Sequence, residues 1–278
     1  MPTRHRLICT PVFHRGRSVW AAGCLVALGM LAGCAAPSAP APEAIVGSAA
    51  ETELHRLAHT RLQLGVMYFQ EERYAIALGE VAQALQAYPG YVDAYNLQGW
   101  IYLSQKEFAQ AEASFAKALA LRPQDADTRY NLGWALCQQK KYAAAEPHFE
   151  AALQDVRTSD ASKARTWLAK GVCLREAGRQ PEAAYALAQA FELEPANPTA
   201  TYHYAQVLME QGQYERAQFY ARRLNNSEHA TAASLWLGVK IERVRGDSVA
   251  MRQLADQLHR RFPDSREWHR FERGAFDE

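Results

Sequence analysis

The segment GWIYLSQKEFAQAEASFAKALALRP, residues 99–123, decides the fold. Its small residues Gly99 and Ala111 and its aromatic Phe115 lie at helical spacings, and Pro123 ends the run. The same residue types recur at intervals of 34 residues: Gly65, Tyr68, Ala77, Ala84 and Pro89 come before Gly99, Tyr102, Ala111, Ala118 and Pro123, and Gly133, Ala145, Phe149 and Ala152 come after them. This period predicts a stack of helical hairpins, each of which buries the face of its neighbour.

Each residue type in the repeat has a physical role in two antiparallel helices. Glycine in the first helix and alanine in the second allow the helices to approach closely, and the bulky Val81, Phe115 and Phe149 fill the remaining space. Pro89 and Pro123 end the second helix because proline has no N–H for the hydrogen-bond ladder. The period and the pattern resemble the tetratricopeptide repeat family.

Three further copies contain Gly171, Ala205 and Gly238. The fourth copy is displaced by four residues, which predicts a longer loop at Gln154–Ser162. We therefore expect an all-α fold, a right-handed superhelix of six tetratricopeptide (TPR) repeats over residues 51–265.

The first helix of each repeat is expected to line a concave groove. The inward positions form a mainly apolar and aromatic stripe: Leu62, Val66, Phe69, Asn96, Trp100, Tyr130 and Trp134. An exposed stripe of this kind indicates a site for a protein partner. The alternative is that these side chains pack on the neighbouring repeat.

Residues 1–33 have the features of a leader. They carry four arginines and no acidic residue, and the run Val19–Ala32 is apolar or small throughout. This pattern is typical of a signal peptide, and the run is shorter than the ~20 residues of a spanning helix. Leu31-Ala32-Gly33-Cys34 resembles the lipobox of bacterial lipoproteins.

The lipobox resemblance implies cleavage before Cys34 and a covalent lipid on Cys34, and no other cofactor is expected. Ala35 in place of aspartate implies delivery by the lipoprotein trafficking machinery to the outer membrane, facing the periplasm. The alternative is an ordinary secretory signal with an incidental Cys34. Residues 34–50, with lipidated Cys34 and many Pro and Ala residues, are expected to form a tether, and residues 266–278 a capping tail.

Charge and motifs exclude several function classes. The leader holds four of the 31 Lys and Arg residues and none of the 30 Asp and Glu residues, so the mature chain carries a net charge of −3. No basic excess remains to bind nucleic acid. No catalytic motif is present, so we expect no enzyme. His55 and His59 lack a third ligand at a useful spacing, so we expect no metal site.

Cys137 and Cys173 are the two cysteines that remain as thiols after the leader and Cys34. They lie on the first helices of adjacent repeats and, in an oxidising periplasm, could form a disulfide. The alternative is a pair of buried free thiols.

Two local stretches resemble the type IV pilus biogenesis/stability lipoprotein family, the secretin pilotins. One is Asn131–Cys137 with the later Gly171-Val172-Cys173, and the other is Leu235–Arg243 with the later Gly246-Asp247 and Phe262–Ser265. The resemblance implies a non-enzymatic assembly factor whose groove holds a secretin subunit.

The family's secretin contact is associated with the amino-terminal repeats, which points to Leu62, Val66, Phe69 and Trp100. The expected outcome is secretin multimerisation in the outer membrane, pilus biogenesis and twitching motility. The alternative function is an outer-membrane TPR adaptor that regulates cell-wall enzymes or outer-membrane protein assembly.

Overall fold

The computed structural model describes residues 43–277, and in this range the chain forms thirteen α-helices and no strand. The first twelve form six successive pairs: α1 (Glu43–Gln70) with α2 (Tyr74–Ala87), α3 (Val92–Ser104) with α4 (Phe108–Leu121), α5 (Ala126–Gln138) with α6 (Tyr142–Gln154), α7 (Asp160–Glu176) with α8 (Gln180–Leu193), α9 (Pro198–Glu210) with α10 (Tyr214–Asn225), and α11 (Ala232–Arg245) with α12 (Ser248–Arg261). A short α13 (Arg266–Glu272) follows. The predicted all-α fold of six repeats is confirmed.

The predicted roles of the small and bulky residues are visible in the pairs. A β-carbon added to Gly99 of α3 would lie 2.5 Å from the ring of Phe115 in α4, so only glycine fits there. Phe115 is fully buried, as is its counterpart Phe149 in α6. Close helix approach therefore depends on pairing a glycine with a bulky side chain in the second helix.

The stack curves with its first helices on the inner side. The first helix of one pair contacts that of the next, since α3 meets α5, α5 meets α7, α7 meets α9 and α9 meets α11. Among the described residues, no second helix contacts the second helix that follows it. The first helices thus lie closer together than the second helices, which produces the concave face of a TPR superhelix.

Two boundaries differ from the sequence prediction. Helix α1 begins at Glu43, so the last eight residues of the predicted 34–50 tether are helical. The expected long loop at Gln154–Ser162 is wrong, because the connection ends at Ser159 and α7 has 17 residues where α5 and α9 have 13. The Ser159 side chain caps α7 by accepting a hydrogen bond from the Ser162 backbone N–H. The four extra residues therefore form a helical turn.

The carboxyl end of the stack is closed by α13, which contacts both α11 and α12. It follows α12 as each earlier first helix follows a second helix, and Ser265 caps its start. Trp268 and Phe271 of α13 pack on the core of the sixth repeat. Helix α13 thus stands where a seventh first helix would stand.

None of the described helices combines the length and apolar character needed to cross a bilayer. The predicted signal peptide 1–33, the lipidated Cys34 and the first part of the tether lie outside the described residues.

Candidate partner-binding groove

A turn residue with positive φ recurs between the two helices of every repeat. These residues are Glu72, Lys106, Lys140, Gly178, Gly212 and Gly246. They are 34 residues apart, except for the step of 38 that contains the extra turn of α7. This position provides a structural register for comparing one repeat with the next.

The register defines three rows of residues along the first helices that contain the predicted groove positions, and we call them the groove rows. Row one lies ten residues before each turn residue and contains Leu62, Asn96, Tyr130, Leu168, Tyr202 and Trp236. Row two lies six residues before it and contains Val66, Trp100, Trp134, Val172, Gln206 and Lys240. Row three lies three residues before it and contains Phe69, Leu103, Cys137, Arg175, Met209 and Arg243. The seven predicted groove residues are all members of these rows.

In the first repeat, the three predicted residues differ in exposure. Leu62 and Phe69 pack against the first core cluster, and the Phe69 ring lies 6.0 Å from that of Tyr74. Val66 retains 37% of its accessible surface. Val66 is therefore the member of this trio whose substitution would disturb the core least.

Asn96 uses its side-chain amide within the stack. Its Nδ2 donates to Thr128 Oγ1 at 2.8 Å, and its Oδ1 accepts from Asn131 Nδ2 at 3.1 Å. Both partners lie on α5, so Asn96 joins the first helices of the second and third repeats. Asn96 thus contacts the neighbouring repeat, as the alternative interpretation of the stripe expects.

The three predicted aromatic residues, Trp100, Tyr130 and Trp134, are half-buried against the core of the second and third repeats. The Trp100 ring meets Phe115 edge-on at 6.2 Å. The Arg165 guanidinium lies 4.5 Å from the Tyr130 ring, and burial raises the pKa of the Tyr130 hydroxyl. One side of each aromatic thus supports the stack and the remainder forms surface.

On the amino-terminal face of the first repeat, several apolar side chains of the described residues are exposed. Met67, five residues before its turn residue, is 56% exposed, whereas its counterparts in the later repeats are buried: Ile101, Ala135, Cys173, Val207 and Ile241. Leu54 and Leu57 add apolar surface on the same helix. This end of the stack therefore offers apolar surface that elsewhere is covered by the preceding repeat.

Cys137 and Cys173 are joined in a disulfide, with their Cα atoms 5.8 Å apart. The bond links α5 to α7 and spans 36 residues of sequence. Both residues are buried in the shared core of the third and fourth repeats.

The two histidines of α1 contact tyrosines of the connection between α2 and α3. His59 Nδ1 lies 3.0 Å from the Tyr91 hydroxyl, and the His55 ring meets those of Tyr88 and Tyr91. Within residues 43–277, no group of three His, Cys, Asp or Glu side chains is arranged to hold a metal ion.

Sequence reasoning missed the rows in the fourth to sixth repeats. Their turn glycines, Gly178, Gly212 and Gly246, are visible in the sequence and could have extended the register. A polar cluster lies there: Arg175 donates to Glu210 at 3.1 Å and ties α7 to α9. Burial lowers the pKa of His203 to about 4, and the nearby Arg175 acts in the same direction.

Comparison with known proteins agrees with this architecture. Three family models described as tetratricopeptide repeat match residues 62–126, 124–195 and 174–236. A search of curated proteins found no match.

Solved structures with the same fold include the crystal structure of PilW, described as a widely conserved type IV pilus biogenesis factor. It is 28% identical, with a TM-score of 0.71, and the match covers 76% of this chain and 96% of PilW. The Pseudomonas aeruginosa pilF structure is 23% identical, with a TM-score of 0.69, covering 80% of this chain and 99% of that one.

YrrB, described as a TPR protein with an unusual peptide-binding site, is 18% identical, with a TM-score of 0.55, covering 69% and 97% of the two chains. At their identities, pilF and YrrB show the fold alone. The helix pairs, the 34-residue register and the three family matches lead to one assignment: the chain is a tetratricopeptide repeat protein.

Proposed function

We propose that this protein is an outer-membrane lipoprotein scaffold, a pilotin, that binds the type IV pilus secretin subunit. It would promote the localisation and multimerisation of the secretin, and hence pilus biogenesis and twitching motility. The observation that carries the proposal is the match to the pilus biogenesis factor PilW at 28% identity over 96% of the PilW chain.

Three features of the chain support the proposal. The lipobox at Leu31–Cys34 supplies a lipid anchor, and the eight residues between Cys34 and α1 would reach at most about 30 Å if extended. The TPR stack supplies a surface for protein partners. The exposed apolar surface of the first repeat, with the exposed Val66 beside it, lies at the end of the stack that follows the anchor.

Binding at the amino-terminal repeats rests on accessible apolar surface there. Trp100 and Tyr130 continue the rows beyond Val66, with one side of each ring forming surface. An aromatic and aliphatic strip of this kind suits the apolar side of a partner segment. The lipid would then anchor the protein in the outer membrane while the groove binds the secretin.

The test begins with deletion of the gene and an immunoblot for secretin multimers in outer-membrane fractions. The native gene should restore multimers and twitching motility, and a Val66→Asp variant should not, because a carboxylate on the strip would be desolvated by the partner. Val249→Asp serves as the matched control, since Val249 is 64% exposed on α12, outside the groove rows.

Secretin multimers that persist in the deletion strain would refute the pilotin role and favour the adaptor for cell-wall enzymes or outer-membrane assembly. Multimers restored by a folded Val66→Asp protein would refute the groove assignment alone. A Cys34→Ser variant tests the anchor: we expect loss from the outer membrane and loss of secretin assembly.

A further inference from the structure

The end of the chain lies on the groove rows of the sixth repeat. After α13 ends at Glu272, Gly274 adopts a φ of +65° and the chain turns. The ring of Phe276 stacks on Trp236 at 5.3 Å with an interplanar angle of 19°. The Arg243 guanidinium lies 4.0 Å from the centroid of the same ring. Trp236 and Arg243 are the sixth-repeat members of rows one and three.

The row-two member also meets this tail. The Lys240 ammonium lies 6.0 Å from the Trp236 ring. Burial lowers the pKa of Lys240 and Arg270 acts in the same direction, while Glu210 and Asp277 oppose them, so the Asp277 carboxylate lies within electrostatic reach of the ammonium. The tail thus presents an aromatic ring and a carboxylate to an indole and two cations.

This combination is specific to the sixth repeat. In the rows of the first five repeats, only Arg175 is a cation, and no repeat there combines an aromatic row residue with a cationic one. Trp236, Lys240 and Arg243 together form what we call the tail subsite. Cation–π contact and charge attraction both favour an aromatic residue beside an acid at this place.

The tail leaves one group of the subsite unmatched. Trp236 is 4% exposed, and among the residues that the structure describes its buried Nε1–H has no hydrogen-bond acceptor. A buried donor without an acceptor is unfavourable, so a segment that also supplies an acceptor would bind better than the chain's own tail.

We propose that the tail subsite recognises a partner segment in which an aromatic residue is followed by a carboxylate, and that Phe276-Asp277 occupies it until such a segment displaces them. The occupant is a peptide segment from another protein. The inference goes beyond the proposed function, because it holds for any partner with this chemistry.

The test uses the labelled peptide Arg-Gly-Ala-Phe-Asp-Glu, the sequence of residues 273–278, as the probe, with fluorescence anisotropy on the purified protein. In the native protein the tethered tail competes at an effective concentration in the millimolar range. A Phe276→Ala variant frees the subsite, and we expect at least about tenfold tighter peptide binding, which corresponds to a tail docked at least about 90% of the time.

Two controls test whether the peptide binds at the tail subsite. Adding Arg243→Ala to the Phe276→Ala variant should remove the gain, whereas adding Arg260→Ala, on the exposed side of α12, should not. A peptide with alanine in place of phenylalanine should bind neither protein. If Phe276→Ala binds the peptide no tighter than the native chain, or if Arg243→Ala leaves the affinity unchanged, the proposal is overturned.

Phe276 also contacts Phe271 in the capping core, so replacing Phe276 changes the packing there as well as the tail. A second variant therefore tests the tail without removing this contact. Asp277→Lys changes an exposed side chain and repels the tail from Lys240 and Arg243. We expect peptide binding to tighten about threefold or more in this variant at low salt, with an unchanged circular dichroism melt. No tightening would also overturn the proposal, and neither result bears on secretin assembly.

Discussion

Replacing Lys106 and Lys140 by glycine should stabilise the superhelix. Both residues hold a positive φ, +62° and +60°, at the turn where the fourth to sixth repeats have glycine. An L-residue with a β-carbon in the left-handed region costs about 1–2 kcal/mol. Glycine avoids this cost but loses about 0.5–1 kcal/mol more chain entropy on folding.

The net gain should therefore be about 0.5–1 kcal/mol at each site. Since the two turns belong to different repeats, the gains should add, giving about 1–2 kcal/mol for the double variant. Both side chains are exposed, so their removal opens no cavity. Urea titration followed by circular dichroism should show a higher midpoint with an unchanged slope.

Two controls separate backbone conformation from charge. Lys106→Ala removes the same charge but keeps the β-carbon, so it should bring no gain. Gly212→Ala should cost about 1 kcal/mol, because its φ is +73° and a β-carbon there would meet only Tyr214, at 3.9 Å. Glycine variants no more stable than the native chain, or a neutral Gly212→Ala, would refute the reasoning.

Three other predictions concern packing, pH and oxidation. Gly99→Ala should lower the free energy of unfolding by about 2 kcal/mol or more, because its β-carbon would lie 2.5 Å from Phe115. Gly79→Ala, with nothing within 4 Å of its β-carbon, should be neutral or stabilising. Equal melting temperatures of the two variants would contradict this prediction. The folded chain keeps the pKa of His203 near 4, below its unfolded value of about 6.5, so between these two pH values the unfolded chain binds more protons. The free energy of unfolding should therefore fall by up to about 3 kcal/mol as the pH drops from about 6.5 to about 4. His203→Gln should remove that part of the loss, so urea midpoints at pH 7 and pH 4.5 that shift equally in both proteins would speak against it. Cys173→Ala should lower stability by about 3–4 kcal/mol by opening the 36-residue loop, and two free thiols in denatured, unreduced native protein would show that the bond is not formed.

The fold could be predicted from the sequence because most of the repeats keep the same small and bulky residue types at the same positions, where close packing restricts the choice. Gly99 and Phe115 illustrate this, since a β-carbon in place of the glycine hydrogen would overlap the ring. The number of repeats follows from counting such pairs along the chain. The predicted groove positions also fall on one face, because the 34-residue register repeats the orientation of each first helix.

Other features of the structure cannot be predicted from the 34-residue period, because they depend on local capping, hydrogen bonds and long-range contacts. The four residues inserted before the fourth repeat could form a loop or a helical turn, and the Ser159 cap with the helix-compatible residues after it favours the turn. The position of the half-buried Asn96 between two repeats depends on a hydrogen-bond network with α5. The position of Phe276 on Trp236 is a long-range contact without a periodic signal.

The disulfide between α5 and α7 has a mechanical consequence. A repeat array behaves as a spring, since each unit contacts only its neighbours and extension opens the junctions between units. Cys137 and Cys173 bridge the third of the five junctions in this stack, so that one junction cannot widen without breaking a covalent bond. Tension applied to the two ends would therefore be taken up on either side of a rigid centre, and the three amino-terminal repeats would stretch independently of the three carboxyl-terminal ones.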